Sequence, residues 1–250
     1  MIYLLCIIAI LRTGHGPGNP LSNSEHALSF TEKSESLSEQ AYQRIRQLII
    51  QLELAPGDVV REDTLREQLD IGRTPIREAL QRLAREHFIQ VIPRRGMFVT
   101  AIDVAELSTL LETRFVLEPY AARLASARGT EAHWDAMEAE LTRAELASLT
   151  DRQLMATDRR CHEIMWEAAE NRFMLDTLDM LYAQSDRLWH QYLSDVPDMS
   201  HAVTEHVEIL DALRSGDSDR VATLVEEHIH AFDQRIRAAV TAHLNSPLAS

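Results

Sequence analysis

Cysteine is almost absent from this 250-residue chain, with Cys6 and Cys161 the only two. No disulfide framework can be built from them, so a reducing compartment, the cytoplasm, is the expected setting. Glycine and proline are scarce as well, eight of each, which favours helices over a turn-rich fold. The apolar run Ile2 to Leu11 spans ten residues, far short of the roughly 20 that cross a bilayer, and no membrane association is expected. It resembles a signal-peptide core, but no Lys or Arg precedes it and no clear small-x-small site follows. It is read as a non-structural extension from an upstream start codon, in preference to a targeting segment. Residues 13–38, rich in Gly, Pro, Ser, Asn and Glu, read as a disordered lead-in. No repeat of fixed period is present.

What the chain does have is polarised charge. The net charge is -14, which taken whole argues against nucleic acid. Its distribution reverses that. Residues 38–100 hold ten Arg against nine acids, and 73–95 hold six Arg against two Glu. Residues 101–250 hold 13 Arg against 27 acids. Phosphate would be attracted to the first stretch and repelled by the last.

Hydrophobic periodicity predicts a helix over 37–52, ended by Ala55-Pro56-Gly57-Asp58. A short second helix follows over 62–69, then the turn Asp70-Ile71-Gly72-Arg73 and a third helix over 74–87 with Ile76, Leu80 and Leu83 inward. Thr74 is placed to cap that helix, and Pro75 suits a first turn where its missing N–H costs nothing. Two strand candidates, 88–92 and 97–99, flank a hairpin at Pro93-Arg94-Arg95-Gly96. Beyond Ile102 the pattern is helical, with helices expected near 103–111, 112–127, 131–147, 151–169, 171–192, 200–214 and 218–243. Breaks are expected at Gly129-Thr130, Asn171, Val196-Pro197-Asp198 and Ser215-Gly216-Asp217. The expectation is a mainly α protein. Residues 1–36 form a disordered or non-structural extension, 37–102 a winged helix-turn-helix, and 103–245 an all-α bundle of six or seven helices that also dimerises.

Arg73, Thr74, Arg77 and Gln81 share an exposed side of the third helix. Arg can reach guanine with a bidentate fork and Gln can do so for adenine. Arg94 and Arg95 on the wing suit phosphates or the minor groove, and Gly96 permits the tight turn. Taken singly, each of these arginines also fits a solubilising role.

In the bundle, Asp158 and His162 are four apart and project from one helical face. His206 and His228 lie about ten residues before and eleven after the Ser215-Gly216-Asp217 turn, which sets them at one level on antiparallel helices. One carboxylate and three imidazoles suit a divalent transition metal with open positions for water or a carboxylate ligand. Spacing alone leaves open four ordinary polar residues in a chain with eleven His.

The string Gly72-Arg73-Thr74-Pro75-Ile76-Arg77-Glu78-Ala79-Leu80, then Leu83 and the wing Pro93 to Val99, resembles the GntR family of bacterial transcription regulators. Ala55-Pro56-Gly57 and Glu62-x-x-Leu65 fit the same pattern, and the helical remainder resembles the FCD effector domain of the FadR-type branch. The likeness covers about residues 38 to 235. It implies that Arg73, Thr74, Pro75, Arg77, Gln81, Arg94, Arg95 and Gly96 meet DNA. It also implies that Asp158, His162, His206 and His228 hold a metal. Zinc is the first choice for that metal, with manganese, nickel and iron as alternatives. Arg114, in the family's Arg-x-x-Leu-Glu pattern, is given the role of pairing with an effector carboxylate, against a plain helix-pairing role. His190, His201 and His230 match no ligand position. Gly72 stands where the family usually has Ser, and Asp63 where some members have a DNA-contacting Arg, so that role is not carried over.

The expected function is a homodimeric regulator, most often a repressor in this family, that binds a pseudo-palindromic double-stranded operator and responds to a small organic acid at the metal site. Two other classes compete. A metalloenzyme would want a placed general base, and no nucleophile elbow, phosphate loop or second Glu-x-x-His beside Glu227-x-x-His230 is found. An architectural DNA-binding protein leaves the helical remainder unexplained.

Overall fold

The computed structural model describes residues 35–146, 149–192 and 200–245. The extension and lead-in expected over 1–36, and the break expected at Val196-Pro197-Asp198, lie almost wholly or wholly outside these. Ser36–Ser250 clusters as one unit.

The head begins with α1 (Leu37–Ile50), whose first turn is capped by Ser36 accepting from the Glu39 amide. β1 (Val59–Val60), α2 (Glu62–Leu69), α3 (Arg73–Arg85), β2 (Ile89–Ile92) and β3 (Gly96–Val99) follow. The three strands pair antiparallel in the order β1-β3-β2. Val59 stands opposite Phe98, and Ile92 opposite Gly96. Ile76, Leu80 and Leu83 of α3 are buried against Ala41, Ile45 and Ile49 of α1. The hairpin loop places both Arg94 (φ 65°) and Gly96 (φ 111°) in left-handed space. Gly adopts that conformation freely, whereas for Arg it carries strain.

Two readings of the head need correction. α3 starts at Arg73, with Gly72 as its cap residue and no side-chain cap, so Thr74 sits inside the first turn rather than capping it. β1 was not expected, because two residues carry no periodicity; its pairing with β3 creates the strand.

The body contains six helices among the described residues: α4 (Leu107–Arg128), α5 (Glu131–Leu146), α6 (Asp151–Ala168), α7 (Arg172–Tyr192), α8 (Ser200–Ser215) and α9 (Ser218–Asn245), with a 3-10 turn at Val104–Glu106. α4 is one helix where the sequence reading placed two. Its buried positions Leu107, Leu111, Arg114, Glu118, Ala121 or Ala122, and Ala125 run in unbroken steps of three and four, so the inward stripe passes straight through the expected boundary. α4 ends at Gly129, where a Cβ would stand 2.2 Å from the Trp134 ring and 2.7 Å from the Ala125 carbonyl oxygen. α6 is central, packed by α4, α5, α7 and α8.

Head and body meet along α7. Ala183 completes the head's apolar core. Arg46 of α1 reaches the Asp179 carboxylate and carbonyl, each at 2.8 Å. Gln184 donates to the Glu86 carbonyl at 2.9 Å, and Arg187 to the Thr100 carbonyl at 2.6 Å.

Candidate DNA-reading face and metal centre

The outer face of α3 follows from its inner one. With Ile76, Ala79, Leu80 and Leu83 turned inward, Arg73, Thr74, Arg77 and Gln81 are exposed, and Pro75 is half-buried in the first turn. The Arg73 and Arg77 side chains are 58% and 61% exposed, so no described residue of the body covers them. Each leans on an acid of α2: Arg73 on Asp63 at 3.1 Å and Arg77 on Glu62 at 3.2 Å. Such exposed pairs are screened by water and exchange readily for phosphate. Asp63 also holds Arg66 at 3.0 Å. Both guanidiniums keep its carboxyl below the ordinary aspartate value, chiefly through the Arg73 hydrogen bond. Arg94, Arg95 and Gly96 are exposed at the wing tip.

In the body, Asp158 and His162 of α6, His206 of α8 and His228 of α9 each offer a donor atom, all within 4.8 Å of one another and all buried. His162 Nε2 and His228 Nε2 lie 3.2 Å apart. Asp158 Oδ1 lies 3.4 Å from His228 Nε2 and 3.5 Å from His206 Nδ1. That oxygen is buried with no hydrogen-bond partner among the described residues.

Outer groups fix how these donors face. Glu205 Oε2 is 2.7 Å from His228 Nδ1, and Glu118 Oε2 is 3.0 Å from His162 Nδ1. An ionised carboxylate only accepts, so His228 Nδ1 carries the proton and its Nε2 turns inward, whereas His162 Nδ1 and Glu118 Oε2 stand close without a hydrogen bond between them. Glu118 is in turn held by Arg114, whose Nε donates at 2.5 Å, while Arg114 also donates to Ser185 Oγ at 3.1 Å. Tyr182 donates to Asp158 Oδ2 at 2.5 Å, and Arg235 pairs with the other oxygen of Glu205.

The electrostatics agree with this layout. Burial works against the Asp158 charge, but His228, His206 and His162 outweigh it and hold the carboxyl far below the usual range. Burial also opposes the Glu118 charge, yet Arg114 and His162 bring it down to about 2. For His228 burial lowers the pKa, but Asp158 and Glu205 raise it to about 9. Burial and the Asp158 charge push the Tyr182 hydroxyl well above its ordinary value, which keeps it a donor.

Two inward nitrogens at 3.2 Å repel unless a proton or a cation lies between them. Donors about 2.0–2.1 Å from one ion would stand roughly 3.0–3.4 Å apart, the spacing found here. The orphaned Asp158 oxygen, the inward nitrogens and the outer carboxylates together fit a divalent transition metal, with imidazole and carboxylate as its ligand types.

Arg114 is 1% exposed and spent on Glu118 and Ser185, and it reaches the cluster through Glu118 and across the Tyr182 ring, 5.2 Å from its centre. His190 pairs with Asp186 at 3.2 Å, and His230 stacks on Phe115 with ring centres 4.2 Å apart. Neither joins the donor set. Cys161 is fully buried in the body core, where burial raises its thiol pKa. Sequence reasoning missed Glu205, Tyr182 and Arg235. Glu205 is masked by its neighbour His206, and the other two carry no spacing signal.

Comparison with known proteins matches residues 37–99 to "Bacterial regulatory proteins, gntR family" and residues 109–231 to the FCD domain. The chain is 26% identical to the HTH-type transcriptional repressor RspR of Escherichia coli K12, over 82% of this chain and 90% of that one. It is 30% identical to an HTH-type transcriptional regulator in an unstable DNA locus of Streptomyces ambofaciens, over 79% and 85% of the two chains. It is 30% identical to the Nta operon transcriptional regulator of Aminobacter aminovorans, over 74% and 90%. Among solved structures, E. coli McbR/YncC superposes with a TM-score of 0.71 at 20% identity, over 84% of this chain and 99% of that one. A GntR regulator from Rhodococcus sp. RHA1 gives 0.60 at 20% identity, over 82% and 99%. These last two likenesses show the fold.

Proposed function

The chain belongs to the GntR family of transcription regulators and carries an FCD domain, and from that premise we propose a metal-dependent repressor released or engaged by a small organic acid. It binds a pseudo-palindromic operator as a cytoplasmic homodimer, presenting two α3 helices to successive major grooves. Arg73, Thr74, Arg77 and Gln81 read base edges, with Pro75 shaping the first turn. Arg94, Arg95 and Gly96 track the backbone from the wing. The domain limits follow as 37–102 for the head and 103–245 for the body.

The single observation that carries this reading is the convergence of Asp158, His162, His206 and His228 inside a body whose head leaves its arginine helix uncovered. Those four residues would hold the ion, zinc first, with Glu205 orienting the His228 imidazole and Glu118 close to that of His162. When bound, the metal supplies a Lewis-acidic position for a ligand carboxylate. The relatives are transcription regulators, which supports regulation over turnover at this cluster.

The space beside the cluster, between Met155, Tyr182, Trp189, Phe232 and Arg235, is about 10 Å³, room for scarcely one water. The described arrangement is therefore a closed one, and an organic acid enters only as the body opens. Arg114 would meet such an acid by exchanging Glu118 for it. An effector shifts the equilibrium by the difference in its affinity for the two states. A charged bridge runs towards the head: Arg159, next to Asp158, pairs with Asp179 at 2.5 Å, and Asp179 pairs with Arg46 at 2.8 Å.

Titrating the protein onto its own upstream intergenic DNA, against scrambled DNA at matched salt, tests the DNA half. Equal affinity for the two would end that half. Metal analysis of the purified protein tests the other half. Bound metal should fall when His206 and His228 become alanine, and unchanged stoichiometry would refute the ligand assignment.

A further inference from the structure

A cleft of about 420 Å³ lies between head and body, away from the metal cluster. Ile102, Leu107, Leu110, Met180 and Leu188 form its apolar lining, and Arg187 stands in its wall. Three guanidiniums are buried among the described residues. Arg46 has Asp179 and Arg114 has Glu118. Arg187, only 2% exposed, has no carboxylate among the described residues; it donates to the Thr100 carbonyl and to Gln184 Oε1, and its Nε has no partner among them.

A buried cation without a counter-charge is costly, and a well-placed anion removes that cost. Loss of solvent alone brings the Arg187 pKa down to about 10, the sign expected of a buried charge with nothing opposite it. The cleft volume falls in the range of small-molecule sites, and an apolar lining joined by a few polar groups, here Arg187, Thr100 and Gln184 with the acids Glu86, Asp103 and Glu106 at its edge, is how such sites are built. The acids nearby limit the class of ligand. Glu86 is engaged by Tyr42 at 2.7 Å and Arg82 at 3.0 Å, while Asp103 and Glu106 are exposed. A second negative charge on the ligand would face those last two, so a dianion is disfavoured.

We propose that this cleft is a second ligand site, distinct from the metal cluster, which takes a small monocarboxylic acid with an apolar body, the carboxylate meeting Arg187. The same guanidinium ties the body to Thr100, just past the head's last strand. Occupancy therefore competes with a head–body link, and ligand binding here bears on head position without passing through the metal.

The test uses the full chain, metal-loaded and chelator-treated, with hexanoate and benzoate as probes and hexanamide and benzamide as neutral controls. Calorimetry and thermal shift should show the acids binding in both metal states and the amides binding at least about tenfold more weakly. Arg187→Met should weaken acid binding about tenfold or more, and Arg187→Lys should restore part of it. If Arg187→Met fails to fold, Ala101→Trp, at an exposed position lining the cleft, should block the acids by filling the space. His206→Ala with His228→Ala should leave them bound. No acid binding at millimolar concentration, binding indifferent to Arg187→Met and Ala101→Trp, or binding lost with the metal would each overturn the proposal. The last result would assign the acid to the metal cluster instead.

Discussion

Replacing Glu205 by Gln isolates the role of a group one step away from the metal. The side chain keeps its volume and an acceptor oxygen, and it is about 30% exposed, so the fold should be little affected. What is lost is the negative charge 2.7 Å from His228 Nδ1, which sets the tautomer and raises the basicity of Nε2. Outer partners of this kind are worth about 10–100-fold in metal affinity, or about 1.4–2.8 kcal/mol. An opposing effect acts at neutral pH. Together with Asp158, Glu205 raises the His228 pKa to about 9, so at pH 7 an incoming metal must displace a proton that the variant holds less firmly. The variant should therefore lose less affinity at pH 7 than above pH 9, where no proton competes. Competition with a zinc-chelating dye at both pH values measures this. The expected loss at the higher pH is about tenfold or more. An affinity within about twofold of the parent there would refute the claim that Glu205 orients a ligand.

Other perturbations have expected outcomes of their own. Arg77→Ala should weaken binding to the operator by about 1–3 kcal/mol and relax sequence preference, whereas Arg95→Ala should weaken all DNA alike and lower the salt slope by about 1. Asp63→Asn frees Arg73 and Arg66 from their partner, so affinity for any duplex should rise; a fall in fluorescence anisotropy titrations would contradict this. The metal-free protein should lose stability as pH rises. The raised pKa of His228 contributes stability fully below its unfolded value near 6.5, and that contribution disappears as pH passes about 9. Denaturant midpoints of chelated protein between those pH values check the sign. Gly129→Ala forces a methyl into the Trp134 ring and should cost about 1–3 kcal/mol in the same measurement.

The parts that could be read from the sequence are those written in local spacing. Ile76, Leu80 and Leu83 recur at helical steps, so the outward set on α3 follows by subtraction. The Asp158–His162 pair, and the near-equal distances of His206 and His228 from the Ser215-Gly216-Asp217 turn, foretell four donors meeting at one level. The parts that escaped depend on distant partners. β1 is a strand only because Phe98 and Met97 stand opposite it. α4 was divided although no Gly, Pro or cap marks a stop near Leu111, and its inward stripe continues through Arg114 and Glu118. Arg114 is readable as a charged helix residue, but its burial against Ser185, 71 positions away, is a tertiary fact. The same holds for Arg187, whose partner Thr100 lies 87 positions back.

The central claim is that a cation-holding body governs an arginine-faced head, and operator affinity in different metal states tests it most directly. Anisotropy titrations at fixed salt would compare zinc-loaded protein, chelated protein and the His206→Ala/His228→Ala double variant on the same upstream duplex. Coupling of about 1–3 kcal/mol predicts an affinity shift of roughly 5-fold to 150-fold between the first two, with the double variant insensitive to metal. Identical affinities in all three would show that head and body share a chain without sharing a function.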